Sequence, residues 1–198
     1  MHAADPSGHY YLQNMREVGS ELLLNPGGTF EFMLAYGAAD YWAKGMWKVT
    51  DGSVILNSTS QEDKPPFRLL RSSAAKAAAI RVHVVGQNGH GVPNIDVTLV
   101  TKDGKLDART DSDGIAMFPK TNAPVGAAFE VRVYKLKTEP YELNSAHDDF
   151  TFEINGEAIT ELRFTDERLI VNRNALISHY WGPDQNMRYV KEQSGPRE

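Results

Sequence analysis

The residues best suited to acid–base or metal chemistry lie in the last third of the sequence. His147 is followed directly by Asp148 and Asp149, and His179 stands further along the chain. Imidazole and carboxylate groups can hold a divalent cation or transfer a proton. If the loops that carry these four residues meet, they would form the centre of a metal-dependent or acid–base hydrolase. The alternative is that all four are solvated loop residues, because no two histidines have the H-x-H or H-x-x-x-H spacing of a local zinc site.

Aromatic side chains offer a different chemistry, the binding of a small apolar ligand. Residues 36–42 (YGAADYW) and 179–186 (HYWGPDQN) are expected to form loops between strands. Aromatic loops at the mouth of a small barrel are common ligand sites, although aromatic residues also fill barrel cores. No cofactor or metal is predicted. The predicted ligand-contact residues are Tyr36, Asp40, Tyr41, Trp42, His179, Tyr180 and Trp181.

The segment TDSDGIAMF (residues 110–118) has the acidic residues and glycine of a calcium loop. If Gly114 is the sixth position of an EF-hand loop, Arg109 occupies the first and Lys120 the twelfth. Both positions require oxygen ligands, so these cations argue against calcium. An aspartate at the start of a turn bonds its own backbone, and glycine supplies positive φ. The segment is therefore predicted to be a structural turn before a strand.

Composition excludes several classes of function. The chain has 198 residues, a formal net charge of -5, and no local cluster of lysine and arginine. These features argue against a nucleic-acid partner, and no apolar run approaches the roughly 20 residues of a transmembrane helix. There is no cysteine, which removes disulfides and thiolate chemistry. Serine hydrolase chemistry has no support from a G-x-S-x-G motif.

The elements that must position these residues are predicted to be strands, because apolar residues alternate with period two along most of the chain. Hairpin turns are predicted at residues 25–28 (NPGG), 51–52 (DG) and 155–156 (NG). The Ala-rich residues 72–80 predict a short helical linker. Strands are predicted at residues 10–58 as a meander, at 80–85, 95–101, 105–110, 115–118 and 129–134 in the middle, and at 150–154, 158–164 and beyond in the C-terminal part.

The middle block resembles carboxypeptidase-regulatory-like, transthyretin-like β-sandwich domains. The match consists of IRVHVVGQNG, GVPNIDVTL and TDSDGIAMF, with Thr110, Asp111, Gly114 and Phe118 at the places of the family's T-D-x-x-G-x-a-x-F signature. The resemblance implies a fold and little about activity, since such domains are usually accessory, spacer or adhesion modules.

The flanking segments resemble bacterial lipocalin-like small barrels. The match lies in GHYYL, SELLLNPGGTFEF, AKGMWKV and DGSVILNS, and in ITELRFTDERLIVNR and MRYVK. Because a filled barrel typically needs about eight strands, neither flank closes one alone. We therefore expect an all-β protein in which one antiparallel barrel (residues 8–72 together with 146–192) carries an inserted sandwich (residues 79–138).

These observations favour a non-enzymatic binding or accessory protein of the cell envelope. The barrel would bind a small or apolar ligand, and the sandwich would be a spacer or protein-contact module. Ala3 and Ala4 resemble the remainder of a signal-peptide cleavage site, which predicts a periplasmic or secreted protein with its signal peptide removed. Two alternatives stay open. One is the hydrolase based on His147, Asp148, Asp149 and His179, and the other is a purely structural subunit of an envelope assembly.

Overall fold

The computed structural model describes residues 5–59, 64–120, 123–180 and 186–192. Its contacts divide the chain into two compact units, residues 1–62 with 160–198, and residues 63–159. The described part is built almost entirely of strands, with one short α-helix and one 3-10 turn. The predicted all-β class is confirmed.

The elements in chain order are β1 (Gly8–Gln13), β2 (Val18–Leu24), β3 (Thr29–Tyr36), β4 (Ala39–Thr50), β5 (Ser53–Ser58), β6 (Phe67–Ser73), β7 (Ala79–Val85), β8 (Asp96–Thr101), β9 (Gly104–Arg109), β10 (Ile115–Pro119), β11 (Pro124–Val131), the 3-10 turn Arg132–Tyr134, β12 (Leu136–Lys137), β13 (Tyr141–Glu142), β14 (Asp149–Ile154), α1 (Gly156–Thr160), β15 (Glu167–Asn172), β16 (Ala175–Ser178) and β17 (Met187–Lys191).

The first unit is a closed antiparallel barrel of eight strands in the order β1-β17-β16-β15-β5-β4-β3-β2. Strands from both ends of the chain complete it, as the strand count required, so the predicted closed barrel is confirmed. Strand β3 shows why the sequence folds this way. Phe30, Phe32 and Leu34 are buried while Glu31 and Met33 are exposed, because successive side chains of a strand point to opposite faces.

Large apolar side chains fill much of the barrel interior. They form one buried cluster that draws on β1 to β5 and β15 to β17. Hairpins of the predicted chemistry connect several of these strands: Asp51 and Gly52 both have positive φ between the paired Thr50 and Ser53. The buried members of the cluster are Tyr10, Leu22, Leu24, Phe30, Phe32, Leu34, Ala43, Val54, Leu56, Phe164, Leu169, Leu176, Met187 and Tyr189.

The second unit contains two sheets. One has the strand order β10-β7-β14-β6, and the other has β12-β11-β8-β9 with β13 also paired to β11. Both sheets contribute to one apolar cluster. Its centre is aromatic: the Phe129 ring stacks on Phe67 with centroids 4.2 Å apart and meets Phe152 edge-on at 4.7 Å.

Two strands that lie almost entirely within the residue ranges assigned to the barrel belong to the second unit. β14 pairs in parallel with β7 and antiparallel with β6, so residues 67–73 and 149–154 lie in a sheet of that unit. Apolar alternation is the same in a barrel strand and in this sheet, and therefore it does not specify the partner strand.

Several local predictions were wrong. The Ala-rich residues 72–80 contain no described helix, because Asp148 accepts a hydrogen bond from Ala75 N and Lys76 adopts φ +56°. Residues 155–160 do not form a hairpin: the Asn155 side chain accepts a hydrogen bond from Ala158 N at the start of α1. The predicted strand 129–134 ends at Val131, where the 3-10 turn begins.

The segment TDSDGIAMF forms the predicted turn before β10. The Asp111 carboxylate accepts hydrogen bonds from Asp113 N at 3.0 Å and Ile115 N at 2.9 Å. Gly114 has φ +78°, and a Cβ there would lie 2.4 Å from the Val84 carbonyl oxygen. Glycine is thus required by both the backbone conformation and the close approach of a neighbouring strand.

Within the described residues, no helix has both the length and the apolar character needed to cross a membrane.

Candidate functional site

Barrel topology brings the two predicted aromatic segments to the same end of the first unit. Neighbouring strands alternate in direction around the barrel, so β3 and β16 both end on one side. The barrel mouth is defined here as the group of side chains at that end: Tyr36, Tyr41, Phe164, Glu167 and Tyr180. Residues 36–42 do not form the expected loop, because Tyr36 pairs with Ala39 across a tight turn in which Gly37 has φ +61°.

Aromatic rings of the barrel mouth pack on one another. Tyr180 meets Phe164 edge-on with ring centroids 5.4 Å apart, and Phe164 meets Phe32 of the core at 5.1 Å. Tyr41 is half-buried against the same core. Burial, and then the neighbouring Glu167 and Tyr41, raise the pKa of the Tyr180 hydroxyl above its ordinary value. Tyr180 thus joins the core to the surface, since 37% of it is exposed.

Polar groups line the barrel interior beside these rings. Ser178 Oγ donates to a carboxylate oxygen of Glu167 at 2.9 Å and accepts from Tyr180 N at 3.1 Å. Ser20 Oγ donates to the Met33 carbonyl oxygen at 2.6 Å and lies 2.9 Å from the Tyr189 hydroxyl. Because the Ser20 hydroxyl already donates its proton to the Met33 carbonyl oxygen, Ser20 accepts the second hydrogen bond, and the Tyr189 hydroxyl donates it. Burial raises the pKa of Tyr189 to about 12.

The other predicted contact residues lie elsewhere on the barrel or outside the described residues. Asp40 and Trp42 are on the opposite face of β4 from Tyr41, and His179 is exposed. The indole Nε1 of Trp42 donates to Thr160 Oγ1 at 3.1 Å, and the ammonium of Lys44 lies 5.3 Å from the ring centroid. Trp181 lies outside the described residues.

Trp42 instead lines an open groove on the outer surface of β3 and β4. The groove has a volume of about 460 Å³. Met33, which is 61% exposed, is paired directly with Trp42 across the two strands, and these two side chains form the apolar part of the groove. Glu31 and Lys44 form its charged part. It is a second surface on which an apolar ligand could contact the barrel.

The residues of the predicted hydrolase are divided between the two units of the chain. His147, Asp148 and Asp149 belong to the second unit, and His179 belongs to the first. Asp149 forms an ion pair with Arg81. The described residues contain no group of three or more histidine, aspartate or glutamate side chains arranged to hold a metal ion.

His147 makes one contact that resembles a catalytic pair, its Nδ1 atom lying 2.7 Å from Ser72 Oγ. The Asn144 side chain determines what this contact can do. Its oxygen accepts from Ala146 N, which turns its amide nitrogen towards His147 Nε2 at 3.5 Å. An Asn144 amide nitrogen directed at Nε2 favours the tautomer in which Nε2 accepts and Nδ1 donates to Ser72. In that tautomer His147 does not take the proton of Ser72, as a general base would.

Asp148 holds the irregular segment between β6 and β7 in place through hydrogen bonds and an ion pair. It is 4% exposed, and its carboxylate accepts from Lys120 Nζ at 2.5 Å and from Ala75 N at 2.6 Å. Lys120 also donates to the Ala77 carbonyl oxygen at 3.1 Å. The hydrogen bond from Lys120, followed by that from Ala75, holds the pKa of Asp148 below its ordinary value of 3.8. These contacts stabilise the fold of the second unit.

We expect Asp148→Asn to lower the melting temperature of the second unit at pH 7. Because the folded-state pKa is lowered, the carboxylate contributes stability above pH 3.8, and this contribution is lost as the pH falls through the folded value. The difference from wild type should therefore shrink on acidification, which calorimetry at pH 7 and pH 3 can measure. The variant Asp113→Asn, at the exposed turn before β10, is the control for the change in net charge. An equal difference at both pH values would contradict the assignment.

Sequence reasoning missed Phe164, Glu167 and Ser178 as members or neighbours of the site. A signal was present for Glu167, because it is in phase with Leu169 and Val171 on the inward face of β15. Phe164 was in phase with Leu162, but its segment was expected to be an ordinary barrel strand. The segment instead forms an isolated β-bridge, in which Glu161 pairs in parallel with Trp42.

Comparison with known proteins gives no family. No family model, no curated protein and no solved structure matches the chain. The site must therefore be interpreted from its own geometry.

Proposed function

We propose that this chain is a non-enzymatic binding protein that holds a small ligand with an apolar or aromatic body at the barrel mouth. The observation that carries the proposal is the ring cluster of Tyr41, Phe164 and Tyr180. It continues the apolar core to the end of the barrel, where Tyr180 is partly exposed. Partly buried aromatic groups beside a few oriented polar groups are the usual lining of a small-molecule site.

The same proposal includes the type of each unit and the location of the protein. The barrel is lipocalin-like, with an interior that continues into its ligand site. The second unit is a transthyretin-like sandwich, supported by its two sheets around one apolar cluster, and it acts as a spacer or protein-contact module. The protein is periplasmic or secreted, a proposal that rests on the small residues near its start. Fractionation of the producing cells tests the location.

Binding at the barrel mouth is tested with N-phenyl-1-naphthylamine, a neutral aromatic probe whose fluorescence rises in apolar surroundings. We expect saturable binding to the wild type. Tyr180→Ala should weaken it about tenfold, because ring contacts contribute roughly 1 kcal/mol each and 1.4 kcal/mol is a factor of ten. Fluorescence titration measures both dissociation constants.

Two matched variants locate the probe. Met46→Ala removes an exposed side chain from the outer face of β4 and should leave the affinity unchanged. Met33→Ala changes the outer groove. If Met33→Ala weakens binding and Tyr180→Ala does not, the ligand site is the groove and the proposal for the barrel mouth is wrong. Absence of saturable binding would also reject it.

A further inference from the structure

Glu167 is a carboxylate on the inward face of the barrel. It begins β15 in phase with Leu169, which is buried, and with Val171, which packs on the core. Its orientation is fixed by the hydrogen bond from Ser178 Oγ at 2.9 Å. It also lies near enough to Tyr180 and Tyr189 for its charge to raise the pKa of both hydroxyls. The carboxylate therefore faces the aromatic lining of the barrel mouth.

The charge of Glu167 has no cationic partner in the described part of the chain, where no lysine, arginine or histidine nitrogen lies within 4.0 Å of it in an ion pair. Asp96, Asp148 and Asp149, which are also buried or partly buried, each pair with a lysine or arginine. A carboxylate accepts about four hydrogen bonds, and one is seen from Ser178. Partial burial of an unpaired charge is unfavourable, so a cation arriving from outside would be stabilised.

The neighbouring rings favour the same kind of ligand. The Tyr180 ring stands edge-on to Phe164, and Tyr41 lies close enough to influence the Tyr180 hydroxyl. The faces of such rings attract cations through their quadrupole, and they attract organic ammonium groups in particular. An anionic ligand would meet both the carboxylate and a chain of net charge -5.

We propose that the barrel mouth binds organic ammonium compounds with an apolar or aromatic body, and that Glu167 is their counter-charge. This inference rests on the proposed function, because it names the chemical class of ligand for the same site. The apolar body contacts Tyr41 and Tyr180, behind which the buried Phe164 packs, and the ammonium group donates to the free acceptor positions of Glu167.

The test compares three probes of similar size and different charge at pH 7. They are 2-phenylethylammonium, 2-phenylethanol and 3-phenylpropanoate, each competing with N-phenyl-1-naphthylamine. We expect the ammonium compound to displace the fluorescent probe at about tenfold lower concentration than the alcohol. The carboxylate should be the weakest competitor. Added salt should reduce the preference, because it screens a partly exposed charge.

Charge at position 167 is then removed without removing the oxygen that accepts from Ser178. Glu167→Gln should weaken 2-phenylethylammonium about tenfold and change 2-phenylethanol less than twofold. Glu31→Gln, on the outer face of β3, is the matched control and should change neither. Glu167→Asp keeps the charge and should keep the order of the three probes, which provides a test if the glutamine variant does not fold.

The outcomes separate this inference from the proposed function. If N-phenyl-1-naphthylamine binds but the three competitors are equal, or Glu167→Gln leaves their order unchanged, the ammonium assignment is wrong while the binding function stands. If the order depends on Glu31 instead, the cation binds in the outer groove and the assignment is also wrong. If the fluorescent probe itself does not bind, the proposed function fails.

Discussion

Replacing Phe129 with alanine should lower the free energy of unfolding of the second unit by about 3–5 kcal/mol. Phe129 is 2% exposed and stands between rings of the opposite sheet, with Phe67 stacked at 4.2 Å and Phe152 edge-on at 4.7 Å. Tyr141 completes the group at 5.9 Å. Removing the central ring leaves a cavity and also breaks three aromatic pairs, each of which contributes beyond the area it buries.

This prediction is measured by hydrogen exchange in increasing urea, because exchange follows each unit separately, whereas all three tryptophans lie in the sequence ranges of the first unit. Peptides from β7 and β11 should lose protection at lower urea, while barrel peptides should not change. Val133→Ala, at an exposed position of the same unit, is the control and should cost less than about 0.5 kcal/mol. A similar effect of both variants would show that Phe129 is not central to this core.

The burial of apolar side chains also explains how much of the fold could be predicted from the sequence. Alternation predicts strands such as β3, because a strand with one buried face must be apolar at every second residue. It also predicted a strand at residues 158–164, which the structure does not form. Alternation does not identify the partner strand. Phe30 and Phe32 face the barrel core, whereas Phe150 and Phe152, with the same spacing, face the core of the second unit. Pairing depends on contacts distant in sequence, which a local pattern does not contain.

The position of a hairpin turn was predictable where the backbone conformation of the turn residues alone determines it. Asp51 and Gly52 both adopt the positive φ that their types allow, and a hairpin results. Asn155 and Gly156 have comparable turn chemistry but begin α1, because an asparagine side chain can also accept from the first turn of a helix. Whether such a pair of residues forms a hairpin turn or begins a helix depends on the elements that follow it.

The candidate site was predictable in part for a similar reason. Tyr180 was identified from its type and its place after a strand, and the structure puts it beside Tyr41. Trp42 belongs to the same short segment as Tyr41 but points to the other face of β4. Glu167 carries the charge of the site, yet a glutamate at a strand start is common on exposed surfaces. Its phase with Leu169 and Val171 indicates an inward orientation, and the hydrogen bond with Ser178 fixes it.

Tyr189 should make the barrel sensitive to alkaline pH. Its hydroxyl is buried, donates to Ser20 and has a pKa raised from 10.0 to about 12. Below pH 10 the folded and unfolded states both hold the proton, so the barrel has its full stability. Between pH 10 and about 12 the unfolded state loses the proton first, and the barrel should lose about 3 kcal/mol of unfolding free energy.

Tyr189→Phe keeps the ring and removes the ionising group. At neutral pH it should cost about 1 kcal/mol, the usual net value of one hydrogen bond, because Ser20 still donates to the Met33 carbonyl oxygen. The order should reverse between pH 10 and 11, where the lost contribution of the tyrosine exceeds about 1 kcal/mol, and the phenylalanine variant should then be more stable than the wild type. Urea unfolding followed by far-ultraviolet circular dichroism at pH 8, 10 and 11 measures the crossing.

Lysine deprotonation also contributes to alkaline unfolding, so the informative quantity is the difference between variants at each pH. Met187→Leu changes a buried neighbour on β17 without changing any ionisable group, and it should follow the wild-type pH dependence with a constant offset. Parallel curves for Tyr189→Phe and wild type would mean that the hydroxyl ionises as readily in the folded barrel as in the unfolded chain. In that case the interior of the barrel at Tyr189 and Ser20 would be hydrated, and burial of this hydroxyl would not explain the loss of stability at alkaline pH.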